Sequence, residues 1–280
     1  MSPTSKSAEP THCEASAGLE IGDTVPPAHT LIARLLIGDY DSRALNAPHV
    51  SPRTSAILVA AGKGTRMGSS LDKLFLEIAG QPVVVHTWKK LEAAPSIHEI
   101  IVVVRDGMQT TFSEFAQKYN LRKPFRIVVG GAERQDSVWN GLEAVSNGIE
   151  IVAIQDAARP CTAVELIEAT ILAARETGAA VAAQPVTDTI KESADGKLVQ
   201  RTLDRSRLWA VQTPQTFRVE IIRRALLEVR NRGLHITDDT AACELIGQPV
   251  ALVSSARPNP KVTRPDDVPY VEMLLRGTAS

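Results

Sequence analysis

The sequence predicts an α/β protein, with a Rossmann-like, mostly parallel sheet, helices on both faces and a protruding β-arm. Three observations carry that prediction. Short apolar runs recur along the chain, stretches with helical spacing lie among them, and the first run empties into a glycine-containing loop, as a buried parallel strand does when it meets a helix. The runs are AILVAA (56–61), EIIVVV (99–104), RIVV (126–129), IVAIQ (151–155) and AAVAAQ (179–184); PVVVHTWKKLEAA, RQDSVWNGLEAV and AVELIEATILAARETG supply the helices. Strands alternating with helices of this length require right-handed crossovers, so the sheet is parallel and covered on both sides. Ligands in such sheets gather at the carboxyl ends of the strands.

Two segments break this rhythm. Residues 1–52 are rich in Ser, Thr, Pro and Ala, with one short apolar run, Leu31 to Ile37, and are expected to form a disordered extension ahead of a single α/β domain over 53–280. Their polar start and Glu9, Glu14 and Glu20 fit neither a secretory signal nor a transit peptide, which places the protein in the cytoplasm as an expectation. Residues 185–210 hold two polar, β-leaning segments around Asp195-Gly196, a hairpin signal. Such a hairpin has little to bury at home, so it either packs against another subunit or lies solvated on the surface.

Composition narrows the function. With 280 residues there is room for one large α/β domain and an appendage. The 31 Lys+Arg against 32 Asp+Glu leave a formal charge of −1, which argues against a nucleic-acid binder. No apolar run approaches the ~18 residues of a membrane span. Cys13, Cys161 and Cys243 are far apart and without CxxC spacing, so neither a disulfide framework nor a zinc site is expected.

Four loops at predicted strand or helix ends carry the chemistry. Ala60-Ala61-Gly62-Lys63-Gly64-Thr65-Arg66-Met67-Gly68, followed by Lys73, reads as a phosphate loop: glycines let the backbone approach an anion, and Arg66 and Lys73 add charge. It matches neither a Rossmann fingerprint, which wants glycine at Met67, nor a Walker A loop, which wants Ser or Thr after its lysine. Asp156 and Arg159 in QDAARP follow a strand; Asp156 suits a metal or a sugar hydroxyl and Arg159 a phosphate, while an i to i+3 ion pair closing a turn explains the same residues. Gly130-Gly131 with Arg134, Gln135, Asp136 and Ser137 suits a base edge and an anion, or else simply caps a helix. Thr237-Asp238-Asp239 is explained by capping alone, and Lys261 and Arg264 precede a helix expected near Pro265.

The histidines, His12, His29, His49, His86, His98 and His235, all fall outside these loops, and GxSxG and HExxH are absent. A reaction whose nucleophile is already anionic needs no general base. A phosphate monoester, with its second pKa of about 6, is such a nucleophile. Phosphate attacking phosphate then poses a problem of charge, which positioned Lys, Arg and Mg²⁺ solve, with Asp156 as the candidate metal ligand.

The ordered set AAGKGTRMG, GGAERQDSV, QDAARP, VTDTIK, LDRSRLWAVQTPQTF, ITDDTAA and KVTRPDD resembles the 2-C-methyl-D-erythritol 4-phosphate cytidylyltransferases of the non-mevalonate isoprenoid pathway, over about Ala56 to Leu275. The resemblance implies reaction of CTP with methylerythritol phosphate, giving the CDP-alcohol and pyrophosphate. It implies that Arg66 and Lys73 hold the triphosphate, with Lys73 stabilising the transition state at the α-phosphorus. Ala60, Ala61, Gly62 and Gly64 would bind nucleotide, with Gly131 and Ser137 around cytosine and ribose. Asp156 and Arg159 would face the acceptor alcohol, Lys261 its phosphate or the CTP, and Thr237 the acceptor pocket. Thr189 and Arg205 would reach from the 185–210 arm into the neighbouring subunit of a homodimer.

Two positions depart from the family pattern: Asp72 stands where a proline commonly precedes the lysine, and could pair with Lys73 unproductively, and Ala132 replaces an acid. A cytidylyltransferase for another polyol phosphate, such as ribitol 5-phosphate, shares fold, loop and arm. A non-catalytic nucleotide-binding module is disfavoured by Arg66, Lys73, Asp156 and Lys261, and an NAD-dependent oxidoreductase by the missing third glycine.

Overall fold

The computed structural model describes residues 53–62 and 72–277. The expected extension over 1–52, and Gly64 and Arg66 of the first loop, lie outside the described residues.

The strands are β1 (Thr54–Ala60), β2 (Glu77–Ile78), β3 (Gln81–Pro82), β4 (Ile97–Val104), β5 (Phe125–Val129), β6 (Ile151–Asp156), β7 (Ala179–Pro185), β8 (Lys191–Glu192), β9 (Arg201–Thr202), β10 (Trp209–Arg218) and β11 (Ala251–Ser254). The helices are α1 (Val83–Ala93), α2 (Gln109–Lys118), α3 (Arg134–Glu143), α4 (Val164–Thr177), α5 (Val219–Asn231), α6 (Asp239–Leu245) and α7 (Asp267–Gly277). Seven strands form one sheet in the order β11-β7-β10-β6-β1-β4-β5. All neighbours pair in parallel except β10, which runs antiparallel to both β6 and β7.

Alternation along the strands divides the core in two. Ala56, Leu58 and Ala60 of β1, with Ile100, Val102 and Val104 of β4, pack under Trp88 of α1, Phe112 of α2, Ile171 of α4 and Val271 of α7. Ile57, Ile101, Val103, Val152 and Ile154 face the other way, against Leu142 of α3, Leu226 of α5 and Cys243 of α6. Both sheet faces are therefore dry, which is why β1, β4 and β6 read as unbroken apolar runs. Gly178, with φ +89°, ends α4 in the left-handed conformation and feeds β7 directly; a Cβ there would lie 2.5 Å from Ile221.

The five expected strands are all present, with ends shifted by two residues or fewer. Strand β10 was not legible, because VQTPQTF is polar and carries Pro214, a residue foreign to central strands. The sheet tolerates it through a register shift between Val211 and Gln215. That irregularity matters: it aims the Thr213 hydroxyl at the Asp156 backbone N–H (3.1 Å) and the Gln215 side chain at the start of α6.

The expected hairpin consists of β8 and β9, joined across a turn in which the Asp195 carboxylate accepts from the backbone N–H groups of Lys197 and Leu198. Its tip is exposed, Leu198 by 74% and Val199 by 63%.

Candidate active site

The chain leaves β1 for β4 in one direction and reaches β6 in the other, so the crevice above β1 is a topological switch point, where open α/β sheets bind ligands. A cavity of about 780 Å³ opens there. Its walls are the carboxyl ends of β1 (through Gly62), β4 (Arg105 and Asp106), β5 (through Arg134) and β6 (Asp156 to Ala158), with Lys73, Leu74, Lys261 and Thr263.

Close backbone approach makes this geometry possible. A Cβ on Gly130 would lie 2.5 Å from the Ala61 Cβ, so glycine there lets the β5–α3 loop lie against the first loop, and one on Gly131 would lie 2.2 Å from the Asp136 Cβ, so glycine there lets the loop turn tightly onto α3. The Ser137 hydroxyl accepts from the Gly131 N–H (3.1 Å) and donates to the Glu133 carbonyl (3.1 Å), while Asp136 accepts from the Glu133 N–H (3.1 Å). The capping explanation therefore holds for Asp136, whereas Ser137 fastens the Gly131 backbone to the first turn of α3 and lines the cavity. The N-terminus of α3 faces the same space, which favours an anion there.

Four cations line the cavity among the described residues, Lys73, Arg105, Arg134 and Lys261, against three acids, Asp106, Glu133 and Asp156. Asp156 is the hub. Its Oδ2 accepts from Lys261 Nζ at 2.6 Å, and its Oδ1 lies 3.5 Å from Arg134 Nε. Arg159 Nε is 3.9 Å from Oδ2. Burial pushes the carboxyl up, but Arg134, Lys261 and Arg159 together outweigh it and hold the pKa at about 2. Arg134 Nη2 also lies 2.9 Å from Oδ2 of Asp239, a fully buried carboxylate. Burial opposes charge on Arg134, yet Asp239 and Asp156 raise its pKa beyond the ordinary arginine value. Burial likewise raises Asp239, only partly countered by Arg134. A guanidinium keeps its proton, so Arg134 is the charged partner, beside an aspartate that burial makes protonate more readily than an exposed one.

Among the described residues, neither a histidine nor a cysteine lines the cavity. His86 Nε2 contacts the Ile78 carbonyl (2.6 Å) and His98 Nδ1 accepts from the Thr54 N–H (3.2 Å), both away from the cavity. Burial pushes the Cys161 and Cys243 thiols up to about 11 and about 12, so neither is a thiolate at neutral pH.

The 2-C-methyl-D-erythritol 4-phosphate cytidylyltransferase (IspD) family model matches residues 54–277. The chain belongs to this family. A cytidylyltransferase of that description from Alkaliphilus oremlandii is 42% identical over 225 residues, covering 80% of this chain and 95% of its own. The one from Caldanaerobacter subterraneus is 42% identical over 223 residues, covering 79% and 98%. Among solved structures, 4-diphosphocytidyl-2C-methyl-D-erythritol synthase from Anaerococcus prevotii aligns with a TM-score of 0.72 at 28% identity, over 81% of this chain and 97% of that one. The Thermus thermophilus cytidylyltransferase aligns with a TM-score of 0.65 at 31% identity, over 79% and 98%.

On this cytidylyltransferase scaffold, the residues singled out in the sequence divide. Ala60, Ala61, Gly62, Lys73, Gly131, Ser137, Asp156 and Lys261 line one cavity. Arg159 does not. It is only 9% exposed and donates from Nη1 to the Asn259 carbonyl (2.7 Å), so the turn-closing ion pair with Asp156 is what the structure contains. Thr189 and Arg205 sit on the exposed arm, with Arg205 donating to the Thr187 carbonyl (2.7 Å), and Thr237 is exposed before α6; none of the three lines the cavity. Asp72 pairs with Arg105 and accepts from the Leu74 N–H (3.1 Å), so the departure from proline has a partner in the strand-end arginine.

Arg105 was missed and Arg134 was given no role. Arg105 had the same signal as Asp156, a charged residue directly after an apolar strand. Asp239 carries no such signal, because capping accounts for the motif around it.

The hub predicts an acid signature in the protein free of nucleotide and metal. A carboxyl depressed in the folded state stabilises the fold fully above its ordinary value of 3.8 and loses that contribution as pH falls towards about 2. Asp239, shifted upward, acts with the opposite sign, so the wild-type curve alone mixes the two. The stability gap between wild type and Asp156→Asn, measured by urea unfolding, should be widest near neutral pH and narrow from about pH 4 downward. A gap that stays constant across that window would contradict the ionic hub.

Proposed function

We propose that this chain transfers the cytidylyl group of CTP to 2-C-methyl-D-erythritol 4-phosphate, releasing pyrophosphate. A phosphate oxygen of the acceptor attacks the α-phosphorus, a new P–O bond forms, and the bond to the bridging oxygen of pyrophosphate breaks. The attacking phosphate is largely a dianion at neutral pH, so no proton acceptor is needed. What the chain supplies is charge and position. The observation that carries this reading is the convergence of Lys73, Arg105 and Lys261 on one hollow at the switch point of a cytidylyltransferase-family fold.

In this reading Lys73 approaches from the first loop and meets the charge that builds on the triphosphate oxygens. Lys261, held at Asp156, meets the acceptor or the nucleotide. At about 4 Å and an effective dielectric near 20, one such pair interacts by roughly 4 kcal/mol. Asp156 is the carboxylate that suits Mg²⁺, since its neighbours keep it ionised, and Mg²⁺ is commonly held by one or two carboxylates with substrate phosphates completing the shell. When bound, Mg²⁺ would draw charge from the phosphoryl oxygens. Arg66 and Gly64 belong to the same proposed triphosphate loop.

The exposed Leu198 and Val199 support a homodimer joined through the arm, with Thr189 and Arg205 reaching a neighbour's acceptor. In equal mixtures of Lys73→Ala and Arg205→Ala chains that exchange subunits, a trans arm restores about a quarter of the sites, as a two-fold dimer requires. No activity on mixing would argue for an arm acting within its own chain.

A pyrophosphate-release assay with CTP, Mg²⁺ and a panel of polyol phosphates tests the reaction. Methylerythritol phosphate should be the preferred acceptor, and Lys73→Ala should lower kcat by about 10²- to 10³-fold with the fold intact. Preference for ribitol 5-phosphate would correct the acceptor. CTP binding with no pyrophosphate from any acceptor would replace the enzyme with a binding module.

A further inference from the structure

We infer that Arg134 is a positioning residue for this transfer: locked by the buried carboxylate of Asp239, its guanidinium fixes Asp156 and ties the β5–α3 loop to the start of α6. The inference rests on the cytidylyl-transfer reading and extends it to two residues without a role there.

Asp239 is the unexplained group. It is fully buried, and neither carboxylate oxygen has an aligned hydrogen-bond donor. Helix capping does not account for it, because the cap of α6 is Asp238, whose Oδ1 accepts from the Ala241 N–H (3.2 Å) and whose Oδ2 accepts from the Thr240 hydroxyl (2.6 Å). A buried carboxylate is costly unless a cation compensates it. The cation paired with it among the described residues is Arg134, at 2.9 Å.

The backbone beneath Asp239 is fixed from another direction. Gln215 of β10 accepts from the Asp239 N–H (2.9 Å) through Oε1 and donates from Nε2 to Asp238 (2.9 Å). The Asp239 backbone is thus fixed independently of Arg134. The same guanidinium places Nε 3.5 Å from Asp156 Oδ1, while Lys261 occupies Oδ2. Three elements, the start of α3, the end of β6 and the start of α6, meet through one planar group. Arginine suits that task because its fork can serve two carboxylates at once, which a lysine ammonium does less well. Arg134 keeps 28% of its side chain exposed on the cavity side, so the tie sits beside the reactants.

The competing explanation is that Arg134 touches substrate directly. The two make different demands on Asp239: a positioning role needs it, a direct contact does not. The test uses the full chain with Arg134→Gln, Arg134→Lys, Asp239→Asn and the Arg134→Gln/Asp239→Asn double variant. It reads kcat and KM for each substrate, CTP affinity by calorimetry, and thermal stability. Arg134→Gln and Asp239→Asn should each lower kcat by about 10- to 100-fold, the usual cost of losing an orienting partner, with CTP affinity changed by less than about threefold. The double variant should be no slower than Arg134→Gln alone, and Arg134→Lys should recover part of the rate. If Asp239→Asn does not fold, the two Arg134 variants carry the test, since both should still bind CTP while turning over slowly. Normal kcat in Asp239→Asn with weakened CTP binding in Arg134→Gln would overturn the inference in favour of direct contact, and strictly multiplicative losses would overturn the coupling. An active wild type with indifferent variants sinks this inference alone, whereas a wild type inactive with every acceptor sinks the functional reading and this inference with it.

Discussion

The charge balance around Asp156 is the constraint on which the site depends. A carboxylate at the buried end of a central strand survives only because Lys261, Arg134 and Arg159 surround it, and those cations lie close together only because the carboxylate is there to separate them. Asp156 thus anchors, ahead of any ligand, a set of positive groups that would otherwise repel one another. Arg159 is turned inward and Arg134 is held between Asp156 and Asp239, so the charge offered to the hollow comes from Lys73, Arg105 and Lys261. Such a cluster is ready for a polyanion and has little reorganising left to do when one arrives.

The fold supplies the positions. Parallel pairing of β6 with β1 sets Asp156 opposite Val59, one residue before the first loop begins at Ala60, so loop and hub share an edge by register. The antiparallel β10 gives up regular pairing where it passes the hub, and its Thr213 and Gln215 are spent on the Asp156 backbone and on the α6 start. Polar residues inside a central strand are here the means by which β10 positions the acids. Gly130 closes the other wall by leaving no side chain between the β5–α3 loop and Ala61, and Gly131 lets that loop turn against Asp136.

Much of this was legible in the sequence, for a physical reason. Strands buried on both faces must be continuously apolar, so β1, β4, β5, β6 and β7 announced themselves, and charged or glycine residues immediately beyond them fell on the edge where ligands bind. Eight of the singled-out residues line one hollow on that logic. What the sequence left open or hid depended on partners distant in the chain. Arg159 follows its strand as Asp156 does, but Asn259, a hundred residues on, turns it inward. Asp239 looked like a capping acid until Arg134 stood beside it. β10 was hidden because its buried polar groups are satisfied by residues from other elements, which no local pattern records.

The most direct measurement of the central claim, that a preformed cationic cluster handles phosphate charge, is calorimetric titration with CTP and with cytidine, without acceptor, at low and high salt. The account predicts that CTP binds at least about a hundredfold more tightly than cytidine, as two charge-assisted contacts would give, and that this gap shrinks as salt rises. Equal affinities for CTP and cytidine, unmoved by salt, would contradict it.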